Sequence, residues 1–105
     1  MIETYYENKL RTNIQKLGHG VRCIKFESPG FSGVPDRMIL LPGARVIFVE
    51  LKRPGKTERA RQVYVQRLLK SLGFEVFSAV NSNEKIEAVV TRCAEVLRDE
   101  GILPA

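Results

Sequence analysis

The sequence has 105 residues, of which 44% are hydrophobic, and this length suits one compact domain over residues 1–105 rather than two. Its 17 Lys and Arg against 12 Asp and Glu give a net charge of +5, which favours a polyanionic partner without proving one. No run approaches the roughly 20 apolar residues of a transmembrane helix, and the first residues lack the layout of a signal peptide. We therefore expect a soluble, intracellular protein.

Cysteine and histidine are too few for the usual disulfide or zinc frameworks. Cys23 and Cys93 lie far apart, and neither has another cysteine or a histidine at metal-ligand spacing, so both are interpreted as small apolar core residues. His19 lies in a Gly-His-Gly turn and is interpreted as an ordinary loop residue. Histidine-based catalysis is therefore not expected.

A first amphipathic helix is predicted over residues 2–17 and ends at Gly18. Its apolar positions recur at steps of three and four residues: Ile2, Tyr6, Leu10, Ile14 and Leu17. Glu7 borders this apolar stripe, which is an unusual place for a carboxylate without a partner, and Glu3 lies one turn away on the same side.

Three short strands are predicted next, at residues 21–26, 37–41 and 45–52. The loop of residues 28–35 is rich in Gly and Pro, and a Pro-Gly turn joins the second and third strands as a hairpin. The third strand is apolar on both faces from Val46 onwards, which is typical of a central strand.

The rest of the chain is predicted to form a helix, a strand and a helix. The helix covers residues 60–72 after a cap at Thr57, and the strand covers residues 74–80. The last helix is capped by Asn81 or Ser82 and ends at Gly101. The order αβββαβα, without repeats or linkers, predicts one α/β domain with a mixed sheet between helices.

Three charged residues are predicted to meet at one end of the hairpin. The two-residue period of a strand puts Glu50 and Lys52 on one face, and Asp36, at the start of the neighbouring strand, is expected beside Glu50. Two carboxylates with no histidine or cysteine nearby suit Mg²⁺ or Mn²⁺ rather than zinc. A surface pair of Glu50 and Lys52 at a frayed strand end is the alternative.

Such a site could hydrolyse phosphodiester bonds. A divalent ion lowers the pKa of a bound water and clamps phosphate oxygens. Lys52 could orient the attacking water or stabilise the negative charge of the transition state.

Residues 33–37 (Gly-Val-Pro-Asp-Arg), a hairpin and residues 48–55 (Phe-Val-Glu-Leu-Lys-Arg-Pro-Gly) resemble the PD-(D/E)xK nuclease superfamily, specifically its VRR-NUC branch. The resemblance covers nearly the whole chain, since minimal phage and bacterial members are stand-alone domains of this size. It implies a restriction-endonuclease-like αβββαβ core, a C-terminal helix and a metal-dependent deoxyribonuclease. Asp36, Glu50 and the Leu51 carbonyl would be metal ligands, and Lys52 the catalytic lysine.

The resemblance also implies a glutamate on the first helix and a glutamine early on the helix after the lysine strand. Glu7 is the preferred metal ligand because residues 7–10 match the family's Glu-x-x-Leu, while Glu3 remains the alternative. Gln62 fits the catalytic glutamine, although glutamine is also common on an exposed helix face.

Basic residues surround the predicted site, and contacts with DNA phosphates are their expected use. They are Arg22, Lys25, Arg37, Arg53, Lys56, Arg59 and Arg61. The loop of residues 28–34 is a candidate DNA-facing segment.

The resemblance implies an endonuclease selective for branched, flap or Holliday-junction DNA, and we expect it in the cytoplasm of a bacterial or phage-infected cell. A single small domain has little surface to grip a branched duplex, so a homodimer is expected. The alternative is a non-catalytic DNA-binding or assembly module with the same fold, and RNA remains open as a substrate.

Overall fold

The computed structural model describes residues 3–105. Its elements are α1 (Glu3–Leu17), β1 (Arg22–Lys25), β2 (Arg37–Leu41), β3 (Arg45–Leu51), α2 (Ala60–Ser71), β4 (Glu75–Val80) and α3 (Asn83–Asp99). The predicted order is confirmed, except that Ile2, assigned to the first helix, lies outside the described residues. Across residues 3–105, no helix combines the length and apolar character that a membrane crossing requires.

The four strands form one mixed sheet in the order β1-β2-β3-β4. The pairs β1–β2 and β2–β3 are antiparallel, whereas β3 and β4 are parallel because α2 carries the chain back across the sheet. The strand β3 is therefore central, as predicted. Its register with β2 pairs Val49 with Arg37, which brings the next residue of β3, Glu50, opposite Asp36.

One face of the sheet is covered by α1 and α3 and holds the core. The fully buried residues include Leu10, Ile14, Ile39, Ile47, Val49, Leu51, Ile86, Val89, Cys93 and Leu97. The apolar interpretation of Cys93 is confirmed, and Cys23 is half-buried against the same cluster. Burial raises the pKa of the Cys23 thiol to about 11 and of the Cys93 thiol to about 12, so neither is a nucleophile at neutral pH.

The opposite face of the sheet is only partly covered. Phe48 of β3 lies between Phe26 and Phe74, with ring centroids 5.7 and 5.5 Å away. Towards the β1 edge, Ile24 and Leu40 on this face stay exposed, because α2 packs against β4. The described residues thus leave an apolar patch of β1 and β2 uncovered.

The start of α2 differs from the prediction. Thr57 is not its cap: the helix begins at Ala60, and Arg59 is the N-cap residue. The Gln62 side chain, in the first turn, folds back towards the start of the helix, and its Oε1 accepts a hydrogen bond from the Arg59 amide at 2.9 Å. This contact pairs a backbone amide that has no partner within the helix. The predicted cap of α3 is confirmed, since Ser82 Oγ accepts from the Lys85 amide.

An ion-pair cluster joins three elements at the sheet edge and makes stability depend on pH. Arg92 of α3 contacts Glu75 of β4 at 2.6 Å, and Arg45 of β3 lies 3.7 Å from the same carboxylate. The hydrogen bond from Arg92, followed by the charges of both arginines, holds the pKa of Glu75 below its usual range despite some desolvation. Because the folded-state pKa is depressed, the stabilisation is present above the ordinary pKa of about 4.3 and is lost as the pH falls through the folded value.

We therefore expect Glu75→Gln to lower the free energy of unfolding at pH 7 by about 1 kcal/mol or less. The difference from the wild type should shrink in urea titrations at pH 3. Glu87→Gln, at an exposed position of α3, is the matched control and should change little at either pH. An equal loss for Glu75→Gln at both pH values would contradict the assignment.

Candidate active site

Asp36 and Glu50 are held together by two reciprocal hydrogen bonds. The Asp36 amide donates to Glu50 Oε1 at 3.1 Å, and the Leu51 amide donates to Asp36 Oδ2 at 2.9 Å. Each carboxylate is thus fixed by the backbone next to the other. The adjacency predicted from the hairpin is present in the structure, and the two acidic groups converge where β2 begins and β3 ends.

Glu50 is the charged side chain most deeply buried in the described chain, with 1% of its surface exposed. Burial, reinforced by the nearby Asp36 charge, raises the pKa of the Glu50 carboxyl to about 7, although the Lys52 ammonium opposes this shift. The Lys52 Nζ lies 3.5 Å from Glu50 Oε2. One ammonium therefore only partly compensates two adjoining carboxylates, and the site favours an additional cation.

Gln62 links the parts of the site through both ends of its amide. Its Nε2 donates to Glu50 Oε2 at 2.6 Å, and its Oε1 accepts from Lys52 Nζ at 3.0 Å as well as from the Arg59 amide. The first turn of α2 is thereby tied to the end of β3. Gln62 therefore fixes the positions of the Lys52 and Glu50 side chains relative to each other. Strand period alone predicts only that the two share a face.

Glu7, the residue expected to be a metal ligand on the first helix, forms an ion pair with Arg37. Its carboxylate pairs with Arg37 at 3.2 Å, and Arg37 Nη1 donates in turn to the Asp36 carbonyl. Arg37 therefore links Glu7 to the backbone of Asp36. The side chain of Glu3, the alternative, lies outside the described part of the chain.

The donor set fits a hard divalent cation, although it is small. Asp36 and Glu50 supply carboxylate oxygens, and within residues 3–105 no third His, Cys, Asp or Glu side chain joins them in a metal-binding cluster. Mg²⁺ is commonly held by one or two carboxylates and keeps several waters, so two carboxylates and a backbone carbonyl are sufficient. The incomplete neutralisation of the buried Glu50 is the structural reason to expect an ion here.

The predicted DNA-contacting residues fall into three groups. Arg37 has only 13% of its side chain exposed and contacts Glu7 and the Asp36 carbonyl. Arg22 and Lys25 are exposed on β1, where Lys25 pairs with Glu27 at 3.3 Å. The remaining four line two open cavities next to the site, one of about 380 Å³ and one of about 250 Å³. They are Arg53, Lys56, Arg59 and Arg61, and Lys52 also lines the larger cavity.

Two aromatic residues near the site were not singled out from the sequence, although one of them, Phe31, lies in the loop predicted to face DNA. The Arg61 guanidinium lies over the ring of Phe31, in the loop before β2, and over the ring of Tyr64, on α2. The spacing of Arg61 and Tyr64, three apart on one helix, was the available signal for half of this cluster. Phe31 could not be placed because its loop follows no regular period.

The fold and the sequence are each similar to those of a known protein. A solved structure described as "VRR_NUC domain" has the same fold at a TM-score of 0.74, with 23% identity, and the match covers 85% of this chain and 94% of that one. A protein of Acyrthosiphon pisum secondary endosymbiont phage 1, described as "Putative nuclease p44", is 40% identical over 74 residues, which are 70% of this chain and 77% of the relative. No protein-family model matches the sequence. The chain belongs to the same family as this phage protein and has the fold of a VRR-NUC domain.

Proposed function

We propose that this protein is a Mg²⁺- or Mn²⁺-dependent DNA endonuclease of the PD-(D/E)xK type, with residues 1–105 acting as one nuclease domain. The observation that carries the proposal is the buried Glu50 carboxylate, which is interlocked with Asp36 and faced by Lys52. Family membership and the description of the phage relative as a nuclease support the same activity.

Asp36, Glu50 and the Leu51 carbonyl would hold the metal. A bound divalent ion supplies an acidified water and draws in phosphate oxygens. Lys52, positioned by Gln62 and by Glu50, would orient the attacking water or neutralise the charge that develops on the phosphate. Glu7 would be the ligand from α1, and its pairing with Arg37, which donates to the Asp36 carbonyl, links it to the backbone of that acidic residue.

The four basic residues beside the site would contact the DNA backbone on both sides of the scissile bond. Arg53 and Lys56 line one cavity, Arg61 lines the other, and Arg59 borders both. A branched or flap substrate would present phosphates to both cavities. The proposed place of action is the cytoplasm of a bacterial or phage-infected cell.

A homodimer would double this small binding surface. The uncovered apolar patch on β1 and β2, which includes Ile24 and Leu40, offers an area for a second copy of the chain. Light scattering of the active protein tests this assembly. A monomer that cleaves branched DNA at the concentration measured would contradict it.

The activity is tested by incubating the protein with linear, flap and four-way-junction DNA in Mg²⁺, in Mn²⁺ and in EDTA. We expect nicks only with a divalent ion, more on branched than on linear DNA, and none with Asp36→Ala or Glu50→Ala. Parallel RNA substrates test the choice of nucleic acid. A folded wild type that binds DNA but never cuts it would instead support the non-catalytic module. Equal cutting by the wild type and by both variants would mean that a contaminating nuclease cuts the DNA, and it would support the same alternative.

A further inference from the structure

We propose that Phe31, Arg61 and Tyr64 form a stacking platform that holds an unpaired base of the DNA beside the cleavage site. The inference rests on the proposed nuclease function and deepens it, because it specifies what the enzyme recognises in a flap or branch. The feature recognised is an unstacked base next to the scissile phosphate, independent of its sequence.

The platform consists of three planar groups in contact: two aromatic rings and the guanidinium that lies over both. The guanidinium carbon of Arg61 lies 4.7 Å from the centroid of the Phe31 ring and 5.1 Å from that of the Tyr64 ring. Arg61 occupies one side of each ring, yet Phe31 is 38% and Tyr64 53% exposed. Exposed aromatic surface beside a cation is the composition that binds single-stranded nucleic acid, since every base has a face that can stack on it.

The platform is fixed before any ligand arrives. Arg61 Nε donates to the Ser32 carbonyl at 2.9 Å, which ties α2 to the loop that carries Phe31. Gly33 in that loop has φ +90°, and a Cβ there would lie 2.7 Å from Arg61 Cγ and 2.9 Å from the Arg61 carbonyl oxygen. Only glycine permits this close approach, so the stem of Arg61 is held against the loop and little side-chain entropy remains to be lost on binding.

The position of the platform connects it to the proposed catalytic site. Arg61 lines the 250 Å³ cavity together with Arg59 and Gln62, and Gln62 contacts Glu50 at 2.6 Å. A base stacked at Tyr64 or Phe31 would therefore belong to a nucleotide close to the one that is cut. Paired bases in a duplex turn only their edges outward, so this surface discriminates in favour of unpaired nucleotides.

Binding of DNA without cleavage tests the platform directly. Dissociation constants are measured in EDTA by fluorescence anisotropy for a flap DNA and for a fully paired duplex of the same length, with 2-aminopurine at the unpaired position to report stacking. Tyr64→Ala and Phe31→Ala are expected to weaken flap binding by about 5- to 150-fold. Duplex binding should change less than about twofold, because phosphate contacts remain.

Matched variants separate stacking from general damage to the fold. Tyr64→Phe keeps the ring and should retain flap affinity and the 2-aminopurine signal. Tyr5→Ala removes an exposed tyrosine from α1, an element that does not contribute to the platform. It should leave the affinities for flap and duplex DNA unchanged. Thermal unfolding of each variant shows that its fold is intact.

Failure of the platform and failure of the nuclease proposal give different results. Equal losses on flap and duplex DNA, or no loss on either, overturn the platform even if the wild type cleaves DNA. A selective loss on flap DNA, with loss of the 2-aminopurine signal, supports the platform even if the wild type never cleaves.

Discussion

Lys52→Ala should lower the single-turnover rate of DNA cleavage by about 10²- to 10³-fold, the scale seen when one charge-stabilising group is lost from an active site. The ammonium is largely buried and lies 3.5 Å from Glu50, where it acts outside bulk solvent. DNA affinity should stay within a few-fold, because Lys52 is one cation among several near the substrate. The rate is measured at saturating DNA and Mg²⁺, so that binding does not limit it.

Two further variants sharpen this result. Lys52→Arg is not expected to restore the rate, since a planar guanidinium cannot occupy the position of a compact ammonium that donates to Gln62 at 3.0 Å. Lys16→Ala removes the same charge from an exposed position on α1 and should cleave at the wild-type rate. Wild-type cleavage by Lys52→Ala would remove Lys52 from the mechanism.

Leu51→Ala should lower the free energy of unfolding by about 2–5 kcal/mol, the cost of a large cavity in a well-packed core. The Leu51 side chain is 1% exposed and lies in the core cluster beneath α1 and α3, while the residues on either side of it carry the proposed catalytic groups. Its own amide donates to Asp36 Oδ2. Loosening this strand end should therefore also reduce the affinity for Mn²⁺.

Urea unfolding in EDTA measures the stability change, and Mn²⁺ titration measures the change in affinity. Leu72→Ala is the matched control, because Leu72 is 66% exposed just after α2, and its replacement should cost no more than about 0.5 kcal/mol. Equal stabilities for Leu51→Ala and Leu72→Ala would contradict the packing described for β3.

The acidic pair was predictable from the sequence because regular structure relates its members. A tight turn fixes the register of β2 and β3, and this register converts a separation of fourteen residues into direct contact between Asp36 and Glu50. Strand period does the same for Glu50 and Lys52, which share a face. The order of helices and strands was also predictable, because each element has a clear apolar period or is bounded by Gly or Pro.

Contacts that depend on how elements pack were not predictable in this way. The pairing of Glu7 with Arg37 depends on where α1 lies over the sheet, and the apolar period of α1 does not predict that placement. Gln62 was singled out only through the family resemblance, since its reach to Glu50 depends on the irregular segment between β3 and α2. The incorrect cap at Thr57 has the same origin, because a capping residue type does not reveal where the preceding loop ends.

The reciprocal hydrogen bonds between Asp36 and the end of β3 have an evolutionary consequence. Each acidic side chain satisfies a partly buried backbone amide beside the other, so replacing either one leaves that amide unpaired and should also weaken the proposed metal binding. The effects of the two substitutions should not add, because the two residues are in direct contact and share one proposed metal site. A lineage that lost the activity would find little advantage in keeping one acidic residue alone, and the two positions are expected to change together.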